Sequence, residues 1–374
     1  MKYLPLSRRV VLLAVLALGA CDATRSTSVA PPETVDEIAR LVGEMGFRSD
    51  MVQDFGDHVL VEGDILISKA QLRSRPAARA ADPLSPRFQY RTNNLVSSTK
   101  VRDIRVDLSG LASQPGWQTA ATEALTHWSG ITGSNVRMVQ GSPADITVST
   151  TCTSYNVAAF ASFPLAGNPG STVYVNACFG YSTSHAQKVH NMVHEFGHTL
   201  GFRHSNYTQL GESAGAEGAV HIWGTPTSGN ASGSVMNGGT ALNSWAGFAA
   251  SDLDATRKIY PLPGPSGLTV TNSGGYPLLT WNAASGATSY TVQLITFNTQ
   301  NGQYQNRYFT FMANTTGTSY LDTGNSYTGV YQCEFDTGMG FTQGHWYEYA
   351  VQANYPNGSS PIDYSRHYAP IAGC

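Results

Sequence analysis

Residues 194–204 read His-Glu-Phe-Gly-His-Thr-Leu-Gly-Phe-Arg-His, and their types and spacing suit a catalytic metal site. His194 and His198 stand four apart, so on a helix they share one face a turn from each other and can bind one ion together. Gly201 can take a positive φ without steric cost, ending the helix and turning the chain back. That turn would bring His204 round as a third imidazole. Three neutral imidazoles suit Zn²⁺ and leave a fourth position for water, the pattern of a catalytic rather than a closed structural site. Glu195 is no ligand in this geometry, but it can reach the water. Zinc lowers the pKa of that water toward about 7; Glu195 would accept its proton during attack on a peptide carbonyl and pass it to the leaving amine. A lone histidine is usually a packing or surface residue. Here five defined positions agree over eleven residues, which sets the motif apart. His190, one turn before His194, reads as a supporting or surface residue, and His185 and His221 as ordinary ones.

The elements that must hold these groups are legible around them. Val189, Met192, Val193, Phe196 and Leu200 mark the apolar side of a helix over about 184–200. Upstream, Ile104, Val106 and Leu108 alternate as in a half-buried strand. Ser113 and Pro115 open a helix whose Trp117, Ala120, Ala121, Ala124, Leu125 and Trp128 recur at helical spacing until Gly130 stops it. Short strands are expected at 136–139, 146–148 and 173–175. Ser251 and Asp254 have the spacing of a capping box for a last helix ending at Tyr260-Pro261. Strand, long helix, then several strands ahead of the next helix predict an α+β fold with a mixed sheet.

The sequence resembles the metzincin metallopeptidases, whose extended motif is His-Glu-x-x-His-x-x-Gly-x-x-His. Metzincins also carry a methionine in a tight turn beneath the metal, and Ser234-Val235-Met236-Asn237-Gly238 fits that turn. Within the clan, residues 193–198, Gly201-Phe-Arg-His204, Gly224-Thr-Pro226 and Ser234-Val-Met-Asn237 most resemble the bacterial dual-action HEIGH metallopeptidases. Phe196 replaces the Ile of that name, and Ser205 after the third histidine is similar to matrixins instead. The resemblance covers roughly 35–261 and is specific over 193–238. It implies a zinc-dependent endopeptidase with His194, His198 and His204 as ligands, Glu195 as base and Met236 as the structural methionine, acting on a protein or peptide substrate. Some metzincins place a tyrosine two residues after the methionine; Gly238 stands there, so no tyrosine is assigned to catalysis.

The remaining chain sets the context. Charged residues make up 13% of the 374 and the net charge is −3, without a basic run, so nucleic acid is excluded as a partner. Lys2, Arg8 and Arg9 precede an apolar stretch over 10–18, too short to span a bilayer but suited to a signal peptide. Leu18-Gly19-Ala20-Cys21 resembles a lipobox, with Cys21 the lipidation site. Residues 1–21 are therefore expected to be a lipoprotein signal, placing the protein outside the cytoplasm, periplasmic or at the cell surface, on a membrane only through a lipid anchor. Four cysteines remain. Exported proteins keep disulfides, and pairing within each domain links Cys152 to Cys178 and Cys333 to Cys374.

Residues 22–97 read as a tether followed by a prosegment: a short helix from Thr34 with Glu37 as its capping partner, a β-element over 59–67, and an exposed Arg/Ala/Pro strip over 73–86. Cys21 is consumed by processing, so no thiol can block the metal. The Gly56-Asp57-His58 and Glu62-Gly63-Asp64 stretches offer carboxylates that could. Residues 98–261 form the peptidase domain. Beyond Pro261–Ser266, residues 267–374 alternate like a β-sandwich and resemble a fibronectin type III domain, with Trp281 its core tryptophan and Tyr347 a tyrosine-corner candidate; Tyr304 and Tyr308 are aromatics that could bind polymers. The alternative reading is a non-enzymatic surface lipoprotein or adhesin with a vestigial metal site. Glu195 speaks against it, since a structural zinc site needs no base.

Overall fold

The architecture follows from where the apolar runs can be buried. The computed structural model describes residues 35–45, 47, 49, 52–74, 89–154, 156–226, 233–274, 276–300, 303–323 and 346–368, all within one unit spanning Val35–Cys374. Cys21, Cys333 and Cys374 lie outside the described residues.

Helix α1 (Val35–Glu44) comes first. Strands β1 (Gln53–Phe55), β2 (His58–Val61) and β3 (Ile65–Ser68) and helix α2 (Lys69–Ser74) follow. After residue 88 come β4 (Tyr90–Arg91), β5 (Ile104–Gly110), α3 (Pro115–Ser129), β6 (Met138–Gln140), β7 (Ile146–Thr151), β8 (Ala159–Ser162), β9 (Thr172–Asn176), α4 (His185–Thr199), α5 (Tyr207–Leu210), β10 (Val220–His221) and α6 (Ala250–Ile259). One eight-stranded mixed sheet runs β1-β2-β3-β8-β9-β7-β5-β6. Strands β6, β5, β7 and β9 are parallel, and β8 lies antiparallel to β9.

The N-terminal strands extend this sheet: β3 pairs parallel with β8 through Ile65–Ala161 and Leu66–Ser162. Their alternation sorts side chains to two faces. Val59, Val61, Ile65 and Ile67 pack under Ile38 and Val42 of α1, while Leu60 and Leu66 meet Phe160 on the other face. Both strands are thus buried on two faces, which is why they read as continuous apolar runs rather than as alternating ones.

The main core lies between the sheet and helices α3 and α4. All six residues whose spacing predicts the buried stripe of α3 (Trp117, Ala120, Ala121, Ala124, Leu125 and Trp128) are buried. The alanines let the two helices approach, and the Trp128 indole donates to the Val193 carbonyl of α4 at 2.9 Å. Strand β8 is absent from the sequence reading. Its Ala-Phe-Ala-Ser residues are buried throughout, so they carry no alternation to detect. The cap of α6 also differs from expectation. The helix starts at Ala250, and Asp252 reaches back to the Ala249 amide at 3.1 Å. Ser251 thus falls in the first turn, and Asp254 is an exposed partner of Arg257.

Strands β11 (Ser266–Ser273), β12 (Tyr276–Asn282) and β15 (Ser319–Leu321) form one antiparallel sheet. Strands β13 (Ser289–Gln300), β14 (Gln303–Thr315), β16 (Trp346–Tyr355) and β17 (Gly358–Tyr368) form the other, in the order β14-β13-β16-β17. Trp281 lies in the core between them with Tyr290 edge-on at 5.4 Å. The side chains of Tyr304, Tyr308 and Tyr347 lie outside the described residues; Tyr349 is buried and donates to Asp322 at 2.8 Å. No helix among the described residues is long and apolar enough to cross a membrane.

Candidate metal centre

Helix α4 is set by its two ends. Ser184 and Gln187 form a reciprocal capping box, which satisfies amides that the helix itself leaves unpaired. At the other end Gly201 has φ +94°. Its amide bonds to the His198 carbonyl at 2.9 Å and the Phe202 amide to the Gly197 carbonyl at 3.0 Å, the paired bonds of a Schellman cap. The reversed chain is then fixed by the residues before β5: the Thr92 amide bonds to the Gly201 carbonyl and the Arg203 amide to the Tyr90 carbonyl, both at 2.9 Å.

This turn brings His204 to the histidines of the helix. The Nε2 atoms of His198 and His204 lie 3.0 and 3.3 Å from that of His194. Each Nδ1 is tied back: His194 to the Val235 carbonyl at 2.7 Å, His198 to the Phe202 carbonyl at 2.8 Å and His204 to Glu212 Oε1 at 2.5 Å. Donation from Nδ1 leaves the Nε2 lone pairs to converge, the arrangement that orients histidines on metals. Asp64 completes the set, its carboxylate 3.0 Å from His204 Nε2 and 3.6 Å from His194 Nε2. One donor atom from each of the four residues lies within 4.8 Å of the others. Asp57 is exposed and does not join them.

The electrostatics favour a cation here. Burial pulls Asp64 upward, but the three imidazoles outweigh it and hold its pKa well below the usual carboxylate range. Burial pulls His204 down, yet Asp64 and Glu212 hold it well above the ordinary imidazole value. His198 is driven well below that value by burial and the neighbouring His194 and His204. Three aligned lone pairs, a carboxylate and a second carboxylate behind His204 fit a divalent metal ion bound by nitrogen and oxygen.

Glu195, His194 and His204 share a cavity of about 310 Å³ with Glu62, Gly63, Asp64, His190 and Thr240. The Glu195 carboxyl is buried, and its Oε2 has no hydrogen-bond partner among the described residues. Burial, reinforced by Asp64 and opposed by His204, pushes its pKa well above the carboxylate norm. A carboxyl so placed is suited to receive a proton. His190 lies beside it with Nε2 3.0 Å from the Thr240 hydroxyl. That hydroxyl donates to the Asn237 carbonyl, so the imidazole must supply the proton of the first bond. Burial and the His194 charge lower the His190 pKa to about 4, so it is neutral near pH 7. His185 pairs with Glu123 on the surface and His221 with Thr225.

Met236 is buried against Gly197 of α4. Its turn is held by Asp252, which accepts from Ser234 Oγ and Gln89 Nε2, both at 2.6 Å, and from the Val235 amide at 3.0 Å. The same turn accepts the His194 Nδ1 bond, so α6 positions a candidate ligand at one remove. Two glycines are explained by close approach. A Cβ on Gly197 would lie 2.3 Å from Met236 Sδ and 3.2 Å from the Trp128 ring, and one on Gly238 would lie 2.8 Å from His204 Nδ1. A side chain at 238 would displace that imidazole, so the missing tyrosine has a steric cause. Gly197→Ala is expected to overpack the core and lower stability by about 1–3 kcal/mol. Chemical denaturation checks it, and an unchanged midpoint would contradict the contact.

Three charged residues meet behind His204, of which the sequence offers Glu62 only as a possible metal-blocking carboxylate, quotes Arg203 only as part of the motif and does not point to Glu212. Arg203, fully buried, bonds Glu62 Oε2 through Nη2 at 2.6 Å and stands 3.7 Å from Glu212. Burial pushes Glu62 up to about 7, with Arg203 opposing and Glu212 reinforcing. Arg203 is the one basic residue besides the histidines within residues 194–204; Glu62 and Glu212 meet it through the fold alone. The structure also links Cys152 to Cys178, tying the end of β7 to the segment after β9.

A family model described as dual-action HEIGH metallo-peptidase matches residues 59–260. The chain therefore belongs to that family of metallopeptidases, whose substrates are proteins or peptides. No curated protein matches the chain. Among solved structures, one of myroilysin is 19% identical, covering 45% of this chain and 98% of its own with a TM-score of 0.29. A Fn3-like protein from Clostridium thermocellum is 27% identical, covering 30% of this chain and 97% of its own at 0.19. The fn3 domain of human collagen alpha-1(XX) chain is 23% identical, covering 30% and 90% at 0.20.

Proposed function

We propose that this protein is a zinc endopeptidase, made latent by its own residues 35–72 and carrying a fibronectin type III-like sandwich over 267–374. The observation that carries the reading is the convergence of three Nε2 atoms, each with its Nδ1 tied back, beside the orphan carboxyl of Glu195. His194, His198 and His204 would hold the ion, with Asp64 in the fourth position of the latent form. Zinc bound there supplies a Lewis acid and a water acidified toward neutral pH. Glu195 accepts the proton as water attacks the peptide carbonyl and delivers it to the departing amine. The sandwich serves as a spacer or docking module. Processing at Cys21 would anchor the chain to a membrane, on the periplasmic or outer face.

Latency rests on two contacts. Asp64 stands against His194 and His204, where it would compete with water for the ion, and β3 covers β8, the strand that would otherwise be the sheet edge. Such an edge can accept an extended peptide by strand addition. Cutting between residues 73 and 95 would release both blocks. The adhesin reading leaves the unpartnered Glu195 carboxyl without a purpose.

Zinc content of a ligand variant tests the assignment. His204→Ala should lose stoichiometric zinc and peptide hydrolysis together, because Glu212 then has no imidazole to orient. Full zinc occupancy in that variant would remove His204 from the ligand set.

A further inference from the structure

Arg203 has an unusual position for a guanidinium. It adjoins His204, is fully buried, and is walled by the rings of Phe47, Phe163 and Tyr207 at 5.8, 6.0 and 5.5 Å. Nη1 is occupied by the Ala214 and Gly218 carbonyls at 2.8 and 3.1 Å, which fix the side chain within the catalytic part. Nη2 donates to Glu62 Oε2 at 2.6 Å, and the other Glu62 oxygen accepts the Ser213 amide at 2.7 Å. A carboxylate is therefore gripped on both oxygens, by a cation and a backbone N–H. It belongs to a residue two positions before Asp64, with φ +53°, an uncommon conformation for a non-glycine residue.

Two of these partners, Glu62 and Phe47, lie in the segment whose departure the proposed activation requires. Phe47 leaves a gap over Gly215, where a Cβ would meet its ring at 2.6 Å. Arg203, Ser213, Phe163 and Tyr207 stay. What remains is a recess next to the metal position, aromatic on two sides, with a guanidinium fork and an amide at its floor. We infer that this recess is a substrate subsite selecting an acidic side chain within two residues of the scissile bond, and that Glu62 occupies it in the latent chain. The inference rests on the latent-peptidase reading. Arg203 matches carboxylate geometry, and an amide side chain there would leave Nη2 without a hydrogen-bonded carboxylate, since Glu212 stands 3.7 Å away. Glu212 is the internal competitor, but its Oε1 is engaged by His204 and its Oε2 stays 3.7 Å from Nη2, beyond hydrogen-bond reach.

The test uses the full chain processed between residues 73 and 95. In a peptide-library digest, Asp or Glu should be favoured over Asn or Gln by about tenfold or more at one position within two residues of the cut. Arg203→Gln should erase that preference, read as the ratio of acidic to amide cleavage within one digest so that a change in overall rate does not enter. Should the variant fail to fold, calorimetry on the processed wild type decides without it. A peptide spanning residues 60–66 should bind about tenfold or more tightly than the same peptide carrying Glu62→Gln. Equal binding of the two peptides, or equal cleavage of acidic and amide substrates, would overturn the inference, with Glu212 then neutralising Arg203. A processed chain that cleaves nothing counts against the peptidase reading instead, while the binding comparison still decides the subsite.

Discussion

Glu195→Gln in the processed chain is expected to retain stoichiometric zinc and to lose peptide hydrolysis by about 10²–10⁴-fold. The substitution preserves shape and packing at a buried position, so α4 should stay intact. It removes only the capacity to take up a proton. The three histidines keep their Nδ1 partners at Val235, Phe202 and Glu212, none of which involves Glu195. Metal analysis and a casein digest together separate the possibilities. Normal cleavage by the Gln variant would show that Glu195 is not the base. Loss of zinc as well as activity would place it among the ligands, contrary to the geometry.

Asp64→Ala in the full-length, uncleaved chain should act in the opposite direction and raise activity. Asp64 contacts His204 and His194 at 3.0 and 3.6 Å. Removing the carboxylate that competes for the metal position should raise the rate of the uncleaved chain by about tenfold or more, a change of about 1.4 kcal/mol or more. The gain should stay below that of complete processing, because the Glu62–Arg203 pair and the β3–β8 pairing remain in the variant. Asp57→Ala provides the control, since Asp57 is exposed and away from the metal position. The comparison is initial rates on one peptide before any nicking. An Asp64→Ala chain no faster than wild type would separate these residues from latency.

The sequence made visible what is local and left out what is assembled across distance. The buried stripe of α3 and the C-terminal end of α4 could be read because helical spacing and a terminating glycine lie within a few residues of one another. His194, His198 and His204 were legible for the same reason, being joined by one helix and one turn. Glu62–Gly63–Asp64 could be named as a candidate only by its residue types. Nothing along the chain shows that a turn 140 positions upstream of His204 ends beside it; that depends on β3 adding to β8, a strand without alternation. Glu212 and Asp252 escaped notice because each works through a partner, one orienting His204 and the other holding the turn that carries Met236. Gly238 reads in the sequence as a missing tyrosine; its cause, the nearness of the His204 ring, lies in the fold.

Metal-dependent cleavage is the most direct test of the account. The processed chain should be dialysed against 1,10-phenanthroline until no zinc remains by metal analysis, then assayed on a peptide substrate before and after stoichiometric zinc is returned. The expected result is no hydrolysis by the stripped protein and recovery with zinc, with Glu195→Gln silent in both states. Undiminished hydrolysis by protein shown to be free of metal would contradict it.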